Sequence, residues 1–224
     1  MNLSIVCGMP QEFAAISAAF SNVNIVQFQH SNTFNLSDHI PKECSTIISM
    51  GLAGGLDTRL DIADIAIATS ITDGSKIRNL AVPDWINDLK QLGSQWFLNF
   101  RECPWYSSGK LDQANSVIQR KLLLDQTKAW AIDDESFFVN QVAIERNIQL
   151  LIIRSISDTA LMNLPPGATG PIMNPDGSAN TEYLYNSVKD DPSQIGELIE
   201  VGIDFAKSLS TLKYVAVAIN DVLL

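Results

Sequence analysis

The chain has 224 residues, 46% of them hydrophobic, enough to bury a full core in a single domain spanning residues 1–224. A net charge of −10, with basic residues thinly spread and none before Lys42, argues against a nucleic-acid partner, which would need clustered Lys and Arg to meet phosphates. Cys7, Cys44 and Cys103 are too few and too scattered for a disulfide framework or a zinc site, so a reducing, cytoplasmic setting is expected. The opening "MNLSIVCGMP" lacks a basic leader, and no run reaches the roughly 20 apolar residues of a membrane span.

In chain order, "LSIVCGM" (3–9) predicts a short buried strand, and "QEFAAISAAF" (11–20) a helix with Phe13, Ile16 and Phe20 at helical spacing. "NIVQFQ" suggests a second strand. His30 and His39 follow in a polar stretch without paired ligands at metal spacing and read as ordinary loop residues. "STIISMGLAGGLD" (45–57) predicts a buried strand running into a glycine turn, and "DIAIATSI" (64–71) another strand. "DWINDLKQLG" (84–93) and "NSVIQRKLLLD" (115–125) read as surface helices. "AWAI" leads into a helix at about 135–147, and "QLLIIRSIS" (149–157) is the clearest buried strand. The segment 161–180, with four prolines and three glycines, breaks the alternation. Its apolar residues Leu161, Met162, Leu164, Ile172 and Met173 predict packing over a site or against a partner subunit. An amphipathic helix follows at 193–207, with Ile195, Leu198, Ile199 and Phe205 on one face, and "VAVAINDVLL" reads as the end of a helix or strand. Strands alternating with helices predict an α/β domain with helices on both sides of a central sheet.

In such folds ligands bind outside the carboxyl ends of the strands. Glu12, Glu135 and Asp158 each fall just past a predicted strand. Taken singly, each has an ordinary explanation as a cap or first-turn acid, and Asp133 with Ser136 has the spacing of a cap. Competing chemistry is missing: there is no G-x-S-x-G elbow, no phosphate-binding G-x-x-x-x-G-K-[ST] and no C-x-x-C. "GLAGG" (51–55) lacks the third glycine of a dinucleotide fingerprint. It is either a tight strand exit or a place where Gly54 and Gly55 let a base or sugar approach the backbone.

Together these segments resemble the nucleoside phosphorylase/nucleosidase superfamily. "IVCGMPQE" looks like its first strand and glutamate-bearing turn. "GLAGGLDTRLDIADIAIATSI" looks like its G-x-A-G-G-L-x-x-x-L-x-x-G-D motif, with Ala63 in place of the last glycine, and "AIDDESFFVNQVAIERNIQLLIIRSISD" looks like its M-E-[SA] … R-x-I-S-D block. The interval from Gly109 to Glu135 also fits the methylthioadenosine/S-adenosylhomocysteine nucleosidases. The ending "LPPGATGPIMNPDGSANTEYLYNSVKDDPSQI" is similar to that of the hopanoid-associated phosphorylases, a branch implicated in removing adenine from adenosylhopane. The resemblance implies a three-layer αβα sandwich with a central mixed sheet.

The resemblance further implies cleavage of the N-glycosidic bond of an adenosine-type purine nucleoside, without metal or cofactor. Asp158 matches the donor of a proton to purine N7, Glu135 the holder of the ribose hydroxyls, and Glu12 the base that activates water. Arg154 matches an arginine near that water, or else forms a structural ion pair with these carboxylates. Met9 either lines the ribose pocket or is simple core. Two positions depart from the pattern. Asp134 replaces a methionine, either to stabilise the cationic sugar or to turn outward as a cap, and Leu52 replaces a serine, which suits an apolar ligand tail. With neither Lys nor Arg in residues 1–41, water is favoured over phosphate as nucleophile. Phosphorolysis and a catalytically silent nucleoside- or purine-binding protein are the alternatives. The resemblance also implies a homo-oligomer, dimer or hexamer.

Overall fold

The computed structural model describes residues 2–29, 34–110, 114–171 and 180–223. His30, Ile172 and Met173 therefore lie outside the described residues, as does most of the predicted loop segment beyond Pro171. The strands are β1 (Leu3–Cys7), β2 (Asn24–Gln27), β3 (Thr46–Gly55), β4 (Ile65–Thr72), β5 (Ile77–Asn79), β6 (Phe100–Tyr106), β7 (Ala131–Ile132) and β8 (Gln149–Asp158). The helices are α1 (Pro10–Ser17), α2 (Leu36–His39), α3 (Trp85–Ser94), α4 (Val117–Thr127), α5 (Glu135–Glu145), α6 (Pro166–Thr169), α7 (Thr181–Asp190) and α8 (Ile195–Leu223).

β1, β3 and β8 run parallel and adjacent, so their carboxyl ends share one edge. β8 also pairs antiparallel with β4, β4 pairs with β6, and β7 joins β6 back to the end of β3. The mixed sheet thus closes on itself through these five strands, with β2 and β5 as outer strands. β8 is long and aliphatic because both of its faces are covered: Leu151 and Ile153 pack with α1, α3 and α8, and Leu150 and Ile152 pack with α5. These are the three layers that the sequence predicts.

Several predicted boundaries move. α1 ends at Ser17, and β1 ends at Cys7. "GLAGG" is not a turn: β3 continues through Gly55, because its extended backbone finds ladder partners in both β8 and β7. The ladder slips once. Ala53 stands opposite Ile156 but Gly54 opposite Asp158, which leaves Ser157 as the extra residue of a bulge. The two C-terminal readings merge into the 29-residue helix α8, whose buried residues begin only at Ser208. Among the described residues no helix is long and apolar enough to cross a membrane.

Candidate active site

α1 starts just beyond β1, with Pro10 fixing its first turn and Glu12 in that turn, where the helix dipole favours an acid. The Glu12 side chain turns inward and is only 2% exposed. Its Oε2 accepts from the backbone N–H groups of Gly8 (2.9 Å) and Met9 (2.8 Å), and its Oε1 from Leu52 N–H (2.6 Å). Burial pushes this carboxyl up to about 7. Arg154 pulls it down, Glu135 pushes it further up, and the Met9 and Leu52 N–H groups pull it down. Loss of hydration outweighs the favourable contacts.

Arg154, in the middle of β8 and 1% exposed, joins the acids. Its Nη1 donates to Leu52 O (3.0 Å) and lies 3.2 Å from Glu135 Oε2, while Nη2 donates to Ser49 Oγ (2.9 Å). Nε lies 2.8 Å from Asp133 Oδ2, off the hydrogen-bond axis, so this is a charge contact. Burial acts to lower the guanidinium's pKa, but Asp133, Glu135 and Glu12 together hold it above the ordinary value. Arg154 is therefore first an internal counter-ion, the ion-pair reading of its sequence position.

Beneath Arg154, Asp133 is a structural anion. Its carboxylate accepts from Trp105 Nε1 (2.9 Å), Ser107 Oγ (3.0 Å), Ser136 N–H (2.7 Å) and Ser136 Oγ (2.5 Å). Burial raises its pKa, and Arg154 opposes that rise. Asp133 supplies the capping bond to Ser136 that its spacing predicts. Asp134, at the helix entry, makes no capping bond, which overturns its reading as a cap. The reason is local geometry: Asp133 reaches the Ser136 N–H first.

Two glycines that sequence reasoning passes over permit this crowding. A Cβ on Gly51 would lie 2.6 Å from Glu12 Oε1 and 2.9 Å from Arg154 Nη1, and one on Gly8 would overlap the Glu135 carboxylate. Gly51→Ala is expected to destabilise the chain by about 1–3 kcal/mol and to displace Glu12. Urea denaturation checks the first effect, and a wild-type midpoint would contradict it.

Asp158 stands apart from this cluster. It lies four residues beyond Arg154 on β8, roughly 12 Å along the strand. Its Oδ1 is paired with Nη2 of Arg120 from α4, and Oδ2 lies 2.8 Å from Ser157 Oγ. The structure thus brings Glu12, Arg154 and Glu135 into one contact network and places Asp158 further along the same sheet edge. A cleft of about 420 Å³ lies elsewhere, lined by Phe28, Phe34, Phe138 and Glu145 among others, and the three carboxylates do not contribute to it.

The remaining candidates take more modest places. Leu52 enters through its backbone groups, while its side chain is 6% exposed and belongs to the core on the α1 side. That removes it as a seat for a ligand tail. Met9 is half-buried and packs against the same core. Space beside Gly54 is taken by Asp158 Oδ1 (2.9 Å from an added Cβ) and Ile132, and space beside Gly55 by the backbone of Asp158 and Ala160. In this structure both glycines therefore accommodate the chain itself.

Solved structures align with this fold along nearly their full length. A mutant MTAN of Helicobacter pylori with 5'-methylthioadenosine in the active site aligns over 96% of this chain and 97% of its own, with a TM-score of 0.63 at 15% identity. The chain shares its fold with this nucleosidase. A 5'-methylthioadenosine/S-adenosylhomocysteine nucleosidase from S. pneumoniae with a transition-state inhibitor aligns over 98% and 100%, TM-score 0.62, at 14% identity. A futalosine hydrolase mutant of Helicobacter pylori strain 26695 aligns over 93% and 97%, TM-score 0.58, at 16% identity. No family profile and no curated protein sequence matches the chain. In this fold the acidic network lies just past the carboxyl end of β1 and beside the middle of β3 and β8, while Asp158 stands at the carboxyl end of β8, where open α/β sheets bind ligands.

Proposed function

We propose that the chain hydrolyses the N-glycosidic bond of a purine nucleoside. The observation that carries this reading is the buried Glu12, poised near neutrality and linked through the Leu52 backbone and Arg154 to Glu135 just past the carboxyl end of β1. A base that takes a proton from water works best with a pKa close to the working pH. Glu12 takes one proton from water as the water oxygen bonds to C1′. The bond from C1′ to N9 breaks, its electron pair leaves with the base, and Asp158, which enters the step carrying a proton taken from solvent, delivers that proton to N7. The two carboxyl groups finish with exchanged protonation states and reset through solvent. Glu135 holds the ribose hydroxyls, and its charge favours the cationic sugar. Phosphate is disfavoured as nucleophile because Arg154 is already committed to two carboxylates, a carbonyl and a hydroxyl.

The test is base release from inosine, adenosine, methylthioadenosine and an adenosyl-lipid, with and without phosphate. Free base and free sugar are expected in both conditions. Strict phosphate dependence with a sugar 1-phosphate as product overturns hydrolysis, and no release from any nucleoside overturns the enzymatic reading. The adenosyl-lipid arm examines the hopanoid-type substrate suggested by the C-terminal sequence.

A further inference from the structure

α4 packs Leu123 and Leu124 against the core but also turns a cation inward. It leaves Ile118 81% and Leu122 55% exposed, and its one buried residue is Arg120, at 1% exposure. Burying a guanidinium while two aliphatic side chains stay in water costs stability, so Arg120 must find compensation inside. It finds part of it: Nη1 donates to Gly55 O (3.0 Å), and Nη2 pairs with Asp158 Oδ1. Two bonds leave three of the five guanidinium N–H groups unused among the described residues. Of these, Nε–H is buried with no hydrogen-bond partner there.

We propose that Arg120 is a specificity residue that makes the site select a leaving base with a carbonyl beside N7, a 6-oxopurine, over a 6-aminopurine. The inference rests on the reading of Asp158 as the group that meets N7. The N7 edge of a 6-oxopurine presents two acceptors, N7 and O6, whereas that of adenine presents the N7 acceptor and an amino donor. An isolated carboxylic acid matches adenine, with one oxygen donating to N7 and the other accepting from the amino group. Here Oδ1 is held by Arg120 and Oδ2 faces Ser157 Oγ, so the surroundings of Asp158 are rich in donors. Asp158 is also the more accessible partner, with 16% of its side chain exposed against 1% for Arg120, so a base arriving there meets the acid first and the guanidinium next to it. O6 can take over the Nη2 donor and release Oδ1 to N7. An amino group cannot take it, and would leave a buried donor facing another donor. This runs against the adenosine-type expectation drawn from sequence.

The test compares kcat/KM for inosine and adenosine, with calorimetric binding of hypoxanthine and adenine as a readout independent of turnover. A preference for inosine of at least about 10²-fold is expected, since a site built to hydrogen-bond a polar group strongly rejects an analogue lacking it. Arg120→Met and Arg120→Lys are expected to lower the hypoxanthine-to-adenine ratio in both turnover and binding, with Lys restoring part of the ratio relative to Met. Equal kcat/KM for the two nucleosides in the unaltered protein overturns the proposal and requires no variant to fold. A variant that loses both nucleosides equally, at an unchanged ratio, also overturns it, because Arg120 would then only position Asp158. If no nucleoside is cleaved but hypoxanthine binds at least tenfold more tightly than adenine, the specificity role stands and the hydrolytic reading falls.

Discussion

Glu12→Gln is expected to lower base release by about 10²–10⁴-fold and to erase the acidic limb of the kcat/KM profile. In the unaltered protein Glu12 must be ionised to take a proton from water, and burial has raised its pKa to about 7. Activity should therefore fall roughly tenfold per pH unit below that value and level off above it. Stability runs the other way. A carboxyl whose folded pKa is raised contributes stability that is fully present below its ordinary value near 4.5 and is lost as pH rises through about 7. The protein should thus become less stable over the interval in which it becomes more active. Rate profiles and urea midpoints between about pH 4 and 8 check both trends. A variant that retains the acidic limb would assign it to another group.

Arg154→Met is expected to cost about 3–5 kcal/mol, because it strands Asp133 and Glu135 without their shared counter-ion. The residual activity of that variant should need higher pH, since Arg154 is the group that pulls Glu12 down. Arg154→Met combined with Asp133→Asn should recover part of the lost stability, which distinguishes an unpaired charge from a packing defect. A stability within about 1 kcal/mol of the parent would mean that the guanidinium is dispensable, and the network described above would lose its centre.

The acids at the ends of β1 and β8 and at the start of α5 are visible in the sequence because strand exits are where aliphatic runs stop and polar residues begin. The mid-strand Arg154 is visible because a cation inside "QLLIIRSIS" demands partners. Asp133 shows only as a cap: its bonds to Trp105 and Ser107 come from β6 and the residue just after it, and the sequence predicts no strand at 100–106. The alternation of "FRECPWY" is broken by charged residues and a proline, and the consecutive Trp105 and Tyr106 are both buried, so the segment carries no period-two signature. Gly8 and Gly51 carry no local sign that the carboxylates of Glu135 and Glu12 press against them, because those contacts join residues far apart in the chain. Arg120 is hidden most completely. In "NSVIQRKLLLD" Leu123 and Leu124 pack inward as aliphatic residues should, and nothing local marks Arg120 as the residue that joins them inside by pairing with Asp158.

The slip at Ser157 gives chain length a chemical meaning. Deleting Ser157 would bring the ladder back into step, with Asp158 still opposite Gly54 but without the bulge that aims its side chain at Arg120. Composition at that strand end can therefore drift while spacing cannot: a homologue with the same residue types but a single deletion there would keep its architecture and lose the bulge that sets the aim of its acid.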